Sequence, residues 1–187
     1  MEVELSKILP KNAIVTEIDP PNPEHIPRNN SGFYNHICYS EIKQKINLKN
    51  IKSYVFVRHP YTTVLSDFFF VLKLQGIDYL SLDQKDVSFL VDKYFSGSNW
   101  LRSTGFIYRD NLNNSCVDEF LFYENGIENE INRILPMHNI SPIKINTFEK
   151  QYRPKDVKYS DIFLNKHIDM INDSWSWEFE NLGYERQ

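Results

Sequence analysis

The chain has few of the residues that build disulfide-stapled or metal-centred folds. Its 187 residues include two cysteines and five histidines. Two cysteines are too few for a disulfide framework, and neither residue type occurs at the spacing of a metal site. The sequence also has no apolar run long enough for a signal peptide or a membrane span. These absences exclude a disulfide scaffold, predict no metal, and favour a reduced compartment.

Excess positive charge is also missing. The formal net charge is −4, so the chain has no electrostatic footprint for general nucleic-acid binding. Hydrophobic residues make up 41% of the chain and aromatic residues 14%, which is enough for a hydrophobic core and excludes global disorder. No internal repeat or linker divides the chain. We therefore expect a single domain over residues 1–187.

The most informative segment of the sequence runs from residue 54 to residue 70. Residues 55–57 are β-branched or aromatic, as in a strand that is covered on both faces. Arg58 follows, and Pro60 fits the first position of a helix because it lacks an N–H group. Apolar residues then recur at helical spacing: Val64, Leu65, Phe68, Phe69 and Leu72. The pattern predicts a buried strand that turns directly into an amphipathic helix.

Arg58 and Ser66 are the candidate ligand-binding residues of this segment. In an open α/β sheet, ligands bind beyond the carboxyl ends of the strands, and the first turn of a helix offers unpaired N–H groups to an anion. A guanidinium and a hydroxyl at that place can form a phosphate clamp. The alternative is an arginine paired with a carboxylate at a strand end, and a serine that the helix merely tolerates.

Several motifs, in order along the chain, resemble the sulfotransferase family. The string FVRHPY, followed by VLS and a run of aromatic residues, resembles the 3′-phosphate-binding motif of enzymes that use 3′-phosphoadenosine 5′-phosphosulfate (PAPS). The match is closest to the membrane-type carbohydrate sulfotransferases and their bacterial and viral relatives. Residues 33–43, 117–134 and 177–185 are similar to later parts of the same family pattern.

The resemblance implies a fold, a reaction and a set of site residues. The implied fold is a three-layer α/β fold like that of P-loop NTPases, with a central and mostly parallel sheet. The implied reaction is transfer of a sulfuryl group from PAPS to a hydroxyl acceptor, in particular a carbohydrate. Arg58 and Ser66 would bind the 3′-phosphate, Lys144 and Asn146 would add contacts to it, and His36 would be the catalytic base. An imidazole that titrates near neutral pH suits that last role.

One departure from the family pattern is large. Members begin with a strand and a loop of the form Pro-Lys-x-Gly-Gly-Thr-Ser, which holds the 5′-phosphosulfate. Residues 25–32 have one glycine and an arginine in place of the lysine. Half of residues 19–24, where a buried strand is expected, are prolines. We therefore expect residues 19–32 to form an exposed loop, with a degenerate phosphate loop as the alternative.

This departure leads to two hypotheses. Either the chain is an N-terminally truncated sulfotransferase whose missing loop comes from an upstream segment or a partner, or it is an inactive nucleotide-binding or interaction module. Because membrane anchors of Golgi-type relatives have no counterpart here, the sequence favours the cytoplasmic members. A milder departure is the pair Thr62 and Thr63, which replaces an acidic and a basic residue.

Local patterns predict the remaining elements. Strands are expected at residues 13–18, 33–37, 54–58 and 119–123. Helices are expected at residues 41–46 with Ser40 as the cap, 60–75, 86–95, 127–135 and 160–181. Gly76 is expected to end the second of these helices. Residues 144–155 are expected to form a basic loop that carries aromatic residues.

Overall fold

The protein is a mixed α/β structure in which helices predominate. A computed structural model describes residues 2–18, 21–34, 37–97, 104–110, 112–146 and 152–187. The chain divides into two units, here the first unit (Met1–Val57 and Phe106–Glu149) and the second unit (Arg58–Gly105 and Lys150–Gln187). Within the described ranges, no helix has the length and apolar character needed to cross a membrane.

The first unit contains a two-stranded parallel sheet. Strand β1 (Tyr54–Val57) pairs in parallel with β2 (Glu119–Phe122), so that Tyr54 lies opposite Glu119 and Val57 opposite Phe122. Helix α5 (Ile127–Ile134) follows β2 and packs its buried residues, Ile131 and Ile134, against Leu121. The predicted strands 54–58 and 119–123 and the helix 127–135 are confirmed, each within a residue at its ends.

A buried carboxylate joins the end of β2 to α5. Glu130 is 5% exposed, and it accepts hydrogen bonds from Asn125 Nδ2 at 2.6 Å and from the Arg133 guanidinium at 2.8 Å. Burial alone would raise the pKa of Glu130, but the hydrogen bonds from Asn125 and Arg133 outweigh it and hold the pKa below its ordinary value. Glu130 is therefore a structural anion.

Two short helices of the first unit lie before the sheet. Helix α1 (Glu2–Ile8) was not expected from the sequence, and α2 (Tyr39–Lys45) starts two residues earlier than predicted. The prediction of Ser40 as the cap is wrong, because Cys38 occupies the cap position, and its thiol binds the side chains of Ser40 and Glu41 and no backbone N–H of the helix. The expected strand 13–18 is also wrong, because it reduces to one antiparallel bridge between Val15 and Arg28. The described part of 33–37 contains no strand, and residues 35–36 lie outside the described ranges.

The second unit is built around helix α3 (Pro60–Leu74), which the sequence predicted closely. Gly76 adopts a φ of 69° just after the helix, and the N–H groups of Gly76 and Ile77 bind the carbonyls of Lys73 and Leu72. This arrangement satisfies the last carbonyls of the helix. Helix α4 (Gln84–Ser96) is capped by Asp83, whose carboxylate accepts the N–H of Asp86 at 2.8 Å.

The C-terminal helical region has three helices in place of the single one predicted for residues 160–181. They are α6 (Tyr159–Ile162), α7 (Asn165–Ser174) and α8 (Ser176–Leu182). Their apolar residues join the buried face of α3 in one core cluster, whose largest members are Tyr61, Phe68, Phe69, Phe95, Phe163, Trp175 and Phe179. The core of the second unit is thus mainly aromatic.

His167 explains where α7 begins. Its Nδ1 accepts the N–H of Leu164 at 3.1 Å, so its Nε2 carries the hydrogen and donates it to Asp92 at 2.8 Å. The ring is 2% exposed and stacks on Phe95 with centroids 4.5 Å apart. Burial lowers the pKa of His167, although the hydrogen bond from its ring to Asp92 acts in the opposite direction. The imidazole therefore caps α7 in its neutral form.

We expect the stability of the protein to fall in mild acid because of His167. Since its pKa is lowered from 6.5 in the folded state, the unfolded chain binds more protons below that pH. The free energy of unfolding should decrease as the pH falls below about 6.5, until the folded-state pKa is passed. Urea unfolding of wild type and His167→Gln over this range checks this, because the variant should show a flatter pH profile.

The matched control for this measurement is His138→Gln, since His138 is exposed. A His167→Gln profile as steep as that of the control would contradict the assignment.

Candidate functional site

The candidate site lies at the start of α3, in the second unit. Helix α3 begins with Pro60, and its first helical hydrogen bond runs from Thr63 N to His59 O at 3.0 Å. The N–H groups of Tyr61 and Thr62 precede that bond, and His59 provides no side-chain cap. Such a helix start combines amide donors with the positive end of the helix dipole. Arg58 stands two residues before the helix and is half-buried.

Two threonine hydroxyls brace this turn. Thr62 Oγ1 donates to His59 O at 2.9 Å, and Thr63 Oγ1 lies 3.2 Å from His59 O and 3.4 Å from Arg58 O. These bonds engage the carbonyl oxygens of the turn, which would otherwise oppose an anion. The threonines that depart from the family pattern therefore have a structural role at the same turn.

Ser66 lies one helical turn beyond these threonines on the same side of α3. Residues three and four apart are neighbours on a helix surface, so Thr62, Thr63, Ser66 and Asp67 form a continuous polar stripe. All four are half-buried, whereas the opposite side of the helix is packed into the core. Ser66 therefore lies beside the apolar stripe of α3 and not in its centre. Ser66 is about 9 Å along the axis from Pro60.

The carboxylate next to Ser66 is already engaged. Asp67 Oδ2 accepts the hydroxyl of Tyr94 at 2.7 Å. Burial of the Tyr94 ring, with the negative charge of Asp67 as a second cause, raises the pKa of Tyr94 far above its ordinary value. The phenol therefore remains a hydrogen-bond donor at all ordinary pH values, and it partly offsets the charge of Asp67 beside the candidate site.

Tyr61 anchors the first turn of α3 in a way that the sequence did not reveal. The residue is 0% exposed, its hydroxyl donates to Asn172 Oδ1 at 2.5 Å, and it accepts the N–H of Gln187 at 2.8 Å. Asn172 Nδ2 in turn donates to Gln187 O at 3.0 Å. No local pattern signals this network, because Asn172 is 111 residues from Tyr61 in the sequence.

His59 lies among aromatic rings. Its ring centroid is 5.0 Å from those of Tyr61 and Tyr184 and 5.8 Å from that of Phe179. These contacts give His59 a packing role beside Arg58.

The other predicted site residues lie elsewhere. His36 falls outside the described residues. Lys144 and Asn146 belong to the first unit, where both are exposed on either side of the buried Ile145. The N–H of Ile145 donates to Glu128 Oε2 at 2.9 Å, which holds this segment against α5. The structure thus places Arg58 two residues before α3 and Ser66 within it, both in the second unit, whereas Lys144 and Asn146 belong to the first unit.

The string that starts like the family's phosphate loop has a structural role here. The guanidinium of Arg28 donates to Ser6 O and Leu9 O, both at 2.7 Å, and to Ile26 O at 3.2 Å. His25 Nε2 lies 2.7 Å from Thr16 O. The cation in the place of the family's lysine therefore binds carbonyl groups at the end of α1, and no helix or strand occurs among residues 21–32.

Among the residues that the structure describes, no group of three or more His, Cys, Asp or Glu side chains is arranged to hold a metal ion. Comparisons with models of protein families, with curated proteins and with solved structures gave no match.

Proposed function

We propose that this protein is a PAPS-dependent sulfotransferase that transfers a sulfuryl group to a hydroxyl of a carbohydrate. The observation that carries the proposal is the start of α3. Arg58 stands two residues before a proline-initiated helix, and Ser66 follows on the polar side of that helix. A guanidinium, a hydroxyl and first-turn amides are the donors that a phosphate group needs.

In the proposed mechanism, Arg58 and Ser66 bind the 3′-phosphate of PAPS, with Lys144 and Asn146 as further contacts. His36 removes the proton of the acceptor hydroxyl as its oxygen attacks the sulfur atom. The bond between sulfur and the bridging phosphate oxygen breaks, and adenosine 3′,5′-bisphosphate leaves with the electron pair. The products are this bisphosphate, the sulfate ester and one proton.

The proposed fold is a single three-layer domain over residues 1–187, with a mostly parallel central sheet. The parallel pairing of β1 with β2 supports it, because parallel strands need a long crossover connection and here 61 residues, 58–118, separate the strands.

A specific observation favours a second candidate function. The Arg28 guanidinium is committed to the carbonyl groups of Ser6, Leu9 and Ile26, so residues 25–32 provide no lysine-like cation for a 5′-phosphosulfate. The second candidate is a module that binds adenosine 3′,5′-bisphosphate through Arg58 and Ser66 without transferring a sulfuryl group. In both candidate functions Arg58 and Ser66 bind the nucleotide, and the two differ in whether a sulfuryl group is transferred.

We expect Arg58→Ala to weaken the binding of adenosine 3′,5′-bisphosphate. Loss of a charge-assisted contact should cost about 1.5–3 kcal/mol, which corresponds to roughly 10- to 150-fold in affinity. Isothermal titration calorimetry with the purified chain measures this directly. The matched control is Arg153→Ala, since Arg153 is another half-buried arginine of the second unit.

Equal weakening in Arg58→Ala and Arg153→Ala would show a general loss of positive charge and would contradict the clamp. The clamp would also be wrong if the wild-type chain did not bind the nucleotide. Thermal melts of both variants separate binding from folding.

A further inference from the structure

A cavity at the opposite end of α3 from Arg58 has no role in the proposed transfer. It lies in the second unit, between the end of α3, residues 76–80 and residues 152–154, and we call it the tyrosine cavity. Its volume is about 490 Å³, within the range of roughly 300–1,000 Å³ that is usual for small-ligand sites. Helix α3 is about 21 Å long, since 14 helical steps rise 1.5 Å each, and the cavity lies at its C-terminal end.

Two tyrosine rings form the sides of the cavity, and each is held by packing. The ring of Tyr79 meets the buried Phe69 edge-on, with centroids 4.9 Å apart. The ring of Tyr152 lies 5.5 Å from that of Phe70. Both tyrosines are half-buried, so that part of each side chain remains accessible. Rings supported in this way offer a flat apolar surface at a low entropic cost to a ligand.

Two cations line the same cavity. Lys73 is exposed at the end of α3 and Arg153 is half-buried beside Tyr152. Among the described residues, neither forms a salt bridge with a carboxylate. The carboxylate in the lining, Asp78, accepts the N–H of Leu80 at 3.1 Å, so one of its oxygens is already engaged by the backbone of the following turn. The formal charge of the lining is therefore +1, from two cations and one anion.

The helix end does not cancel this positive charge. The last carbonyls of α3 accept hydrogen bonds, because Gly76 N binds Lys73 O at 3.0 Å and Ile77 N binds Leu72 O at 2.9 Å. Satisfied carbonyls present less negative partial charge to a ligand than open ones. An anionic group near Lys73 and Arg153 is therefore favoured.

We propose that the tyrosine cavity binds an anionic saccharide. The C–H face of a sugar ring packs on the tyrosine rings, and a carboxylate or sulfate group of the sugar accepts charge-assisted hydrogen bonds from Lys73 and Arg153. The rim is open to solvent, since Leu80 is 80% exposed, which suits one unit of a longer chain. The choice of a saccharide over other anions with a ring rests on the proposed function. At the far end of α3 from Arg58, the cavity would hold an acceptor chain away from the reacting hydroxyl.

Calorimetry without any nucleotide tests this proposal. The probes are a sulfated hexasaccharide and its desulfated counterpart at 0.15 M salt. We expect the wild-type chain to prefer the sulfated form, and the double variant K73Q/R153Q to lose about tenfold or more in affinity, as for one charge-assisted hydrogen bond. Tyr152→Leu should weaken binding, whereas Tyr152→Phe should keep it, because the phenylalanine retains the ring face.

Matched controls separate this site from the clamp. K85Q/K93Q removes two charges from α4 and should change hexasaccharide binding by less than about twofold, as should Arg58→Ala. K73Q/R153Q should bind adenosine 3′,5′-bisphosphate like the wild type. The proposal is overturned if the wild-type chain does not bind the hexasaccharide, if K73Q/R153Q binds it normally, or if inorganic sulfate or a mononucleotide displaces it at equal concentration. None of these results would change the expected effect of Arg58→Ala on the binding of adenosine 3′,5′-bisphosphate.

Discussion

Phe68→Ala is expected to lower the free energy of unfolding by about 3–5 kcal/mol. Phe68 is 1% exposed and lies in the middle of α3. Its ring centroid is 5.4 Å from that of Tyr94, 5.5 Å from that of Phe69 and 6.4 Å from that of Phe163. Truncation would remove buried apolar area and leave a cavity among rings that cannot collapse freely.

The matched control is Phe89→Ala on the neighbouring α4. Phe89 is 66% exposed, so the same chemical change should alter stability by no more than about 0.5 kcal/mol. Urea unfolding followed by tryptophan fluorescence measures both variants. If the two substitutions cost the same, the aromatic cluster around α3 is not the core of the second unit.

His36→Ala is expected to lower the rate of sulfuryl transfer by about 10²–10⁴-fold, the contribution typical of a positioned general base. Because a base acts on the acceptor hydroxyl and not on the nucleotide, the affinity for adenosine 3′,5′-bisphosphate should stay within about twofold of wild type. The measurement is transfer of labelled sulfate from PAPS to a panel of polysaccharides.

The control for this variant is His138→Ala. His138 is exposed and forms a hydrogen bond with the hydroxyl of Tyr54, at 2.9 Å. The His138→Ala variant should transfer sulfate at the wild-type rate. Normal transfer by His36→Ala would remove the base assignment, and a wild-type chain that binds the bisphosphate but transfers nothing would favour the nucleotide-binding module.

The sequence predicted the elements that local signals specify. Helix α3 was placed correctly because Pro60 starts it, Gly76 ends it with a positive φ, and apolar residues recur between them at helical spacing. Strand β1 was placed correctly because its four residues carry no charge. The positions of Arg58 and Ser66 followed from these two elements alone.

Elements that depend on distant contacts were missed. At the break before α7, His167 binds both Leu164 N and Asp92, and Asp92 is 75 residues away. A continuous helical pattern over residues 160–181 gives no sign of such a contact. Likewise, Val15 pairs with Arg28 and not with a sheet strand, and the Arg28 guanidinium binds the carbonyls of Ser6 and Leu9, which are about 20 residues away.

The same limit applies to the candidate site. The donors of Arg58, Ser66 and the first turn of α3 were foreseeable, since all belong to one contiguous segment. The bonds that hold Tyr61 to Asn172 and Gln187 were not, because they join residues from remote parts of the chain. Sequence reasoning therefore found the candidate ligand-binding residues but not the network that fixes the turn beneath them.

The hydrogen bonds of the Arg28 guanidinium determine how the N-terminal part of the first unit opens. Its guanidinium bridges the carbonyls of Ser6 and Leu9, its backbone pairs with Val15, and the Ser6 hydroxyl accepts the N–H of Ile26 at 3.1 Å. Helix α1 has only seven residues, too few to be stable alone in water. Neither α1 nor the segment of residues 26–28 can be exposed without breaking the same bonds, so we expect the two segments to open and close as a single cooperative unit.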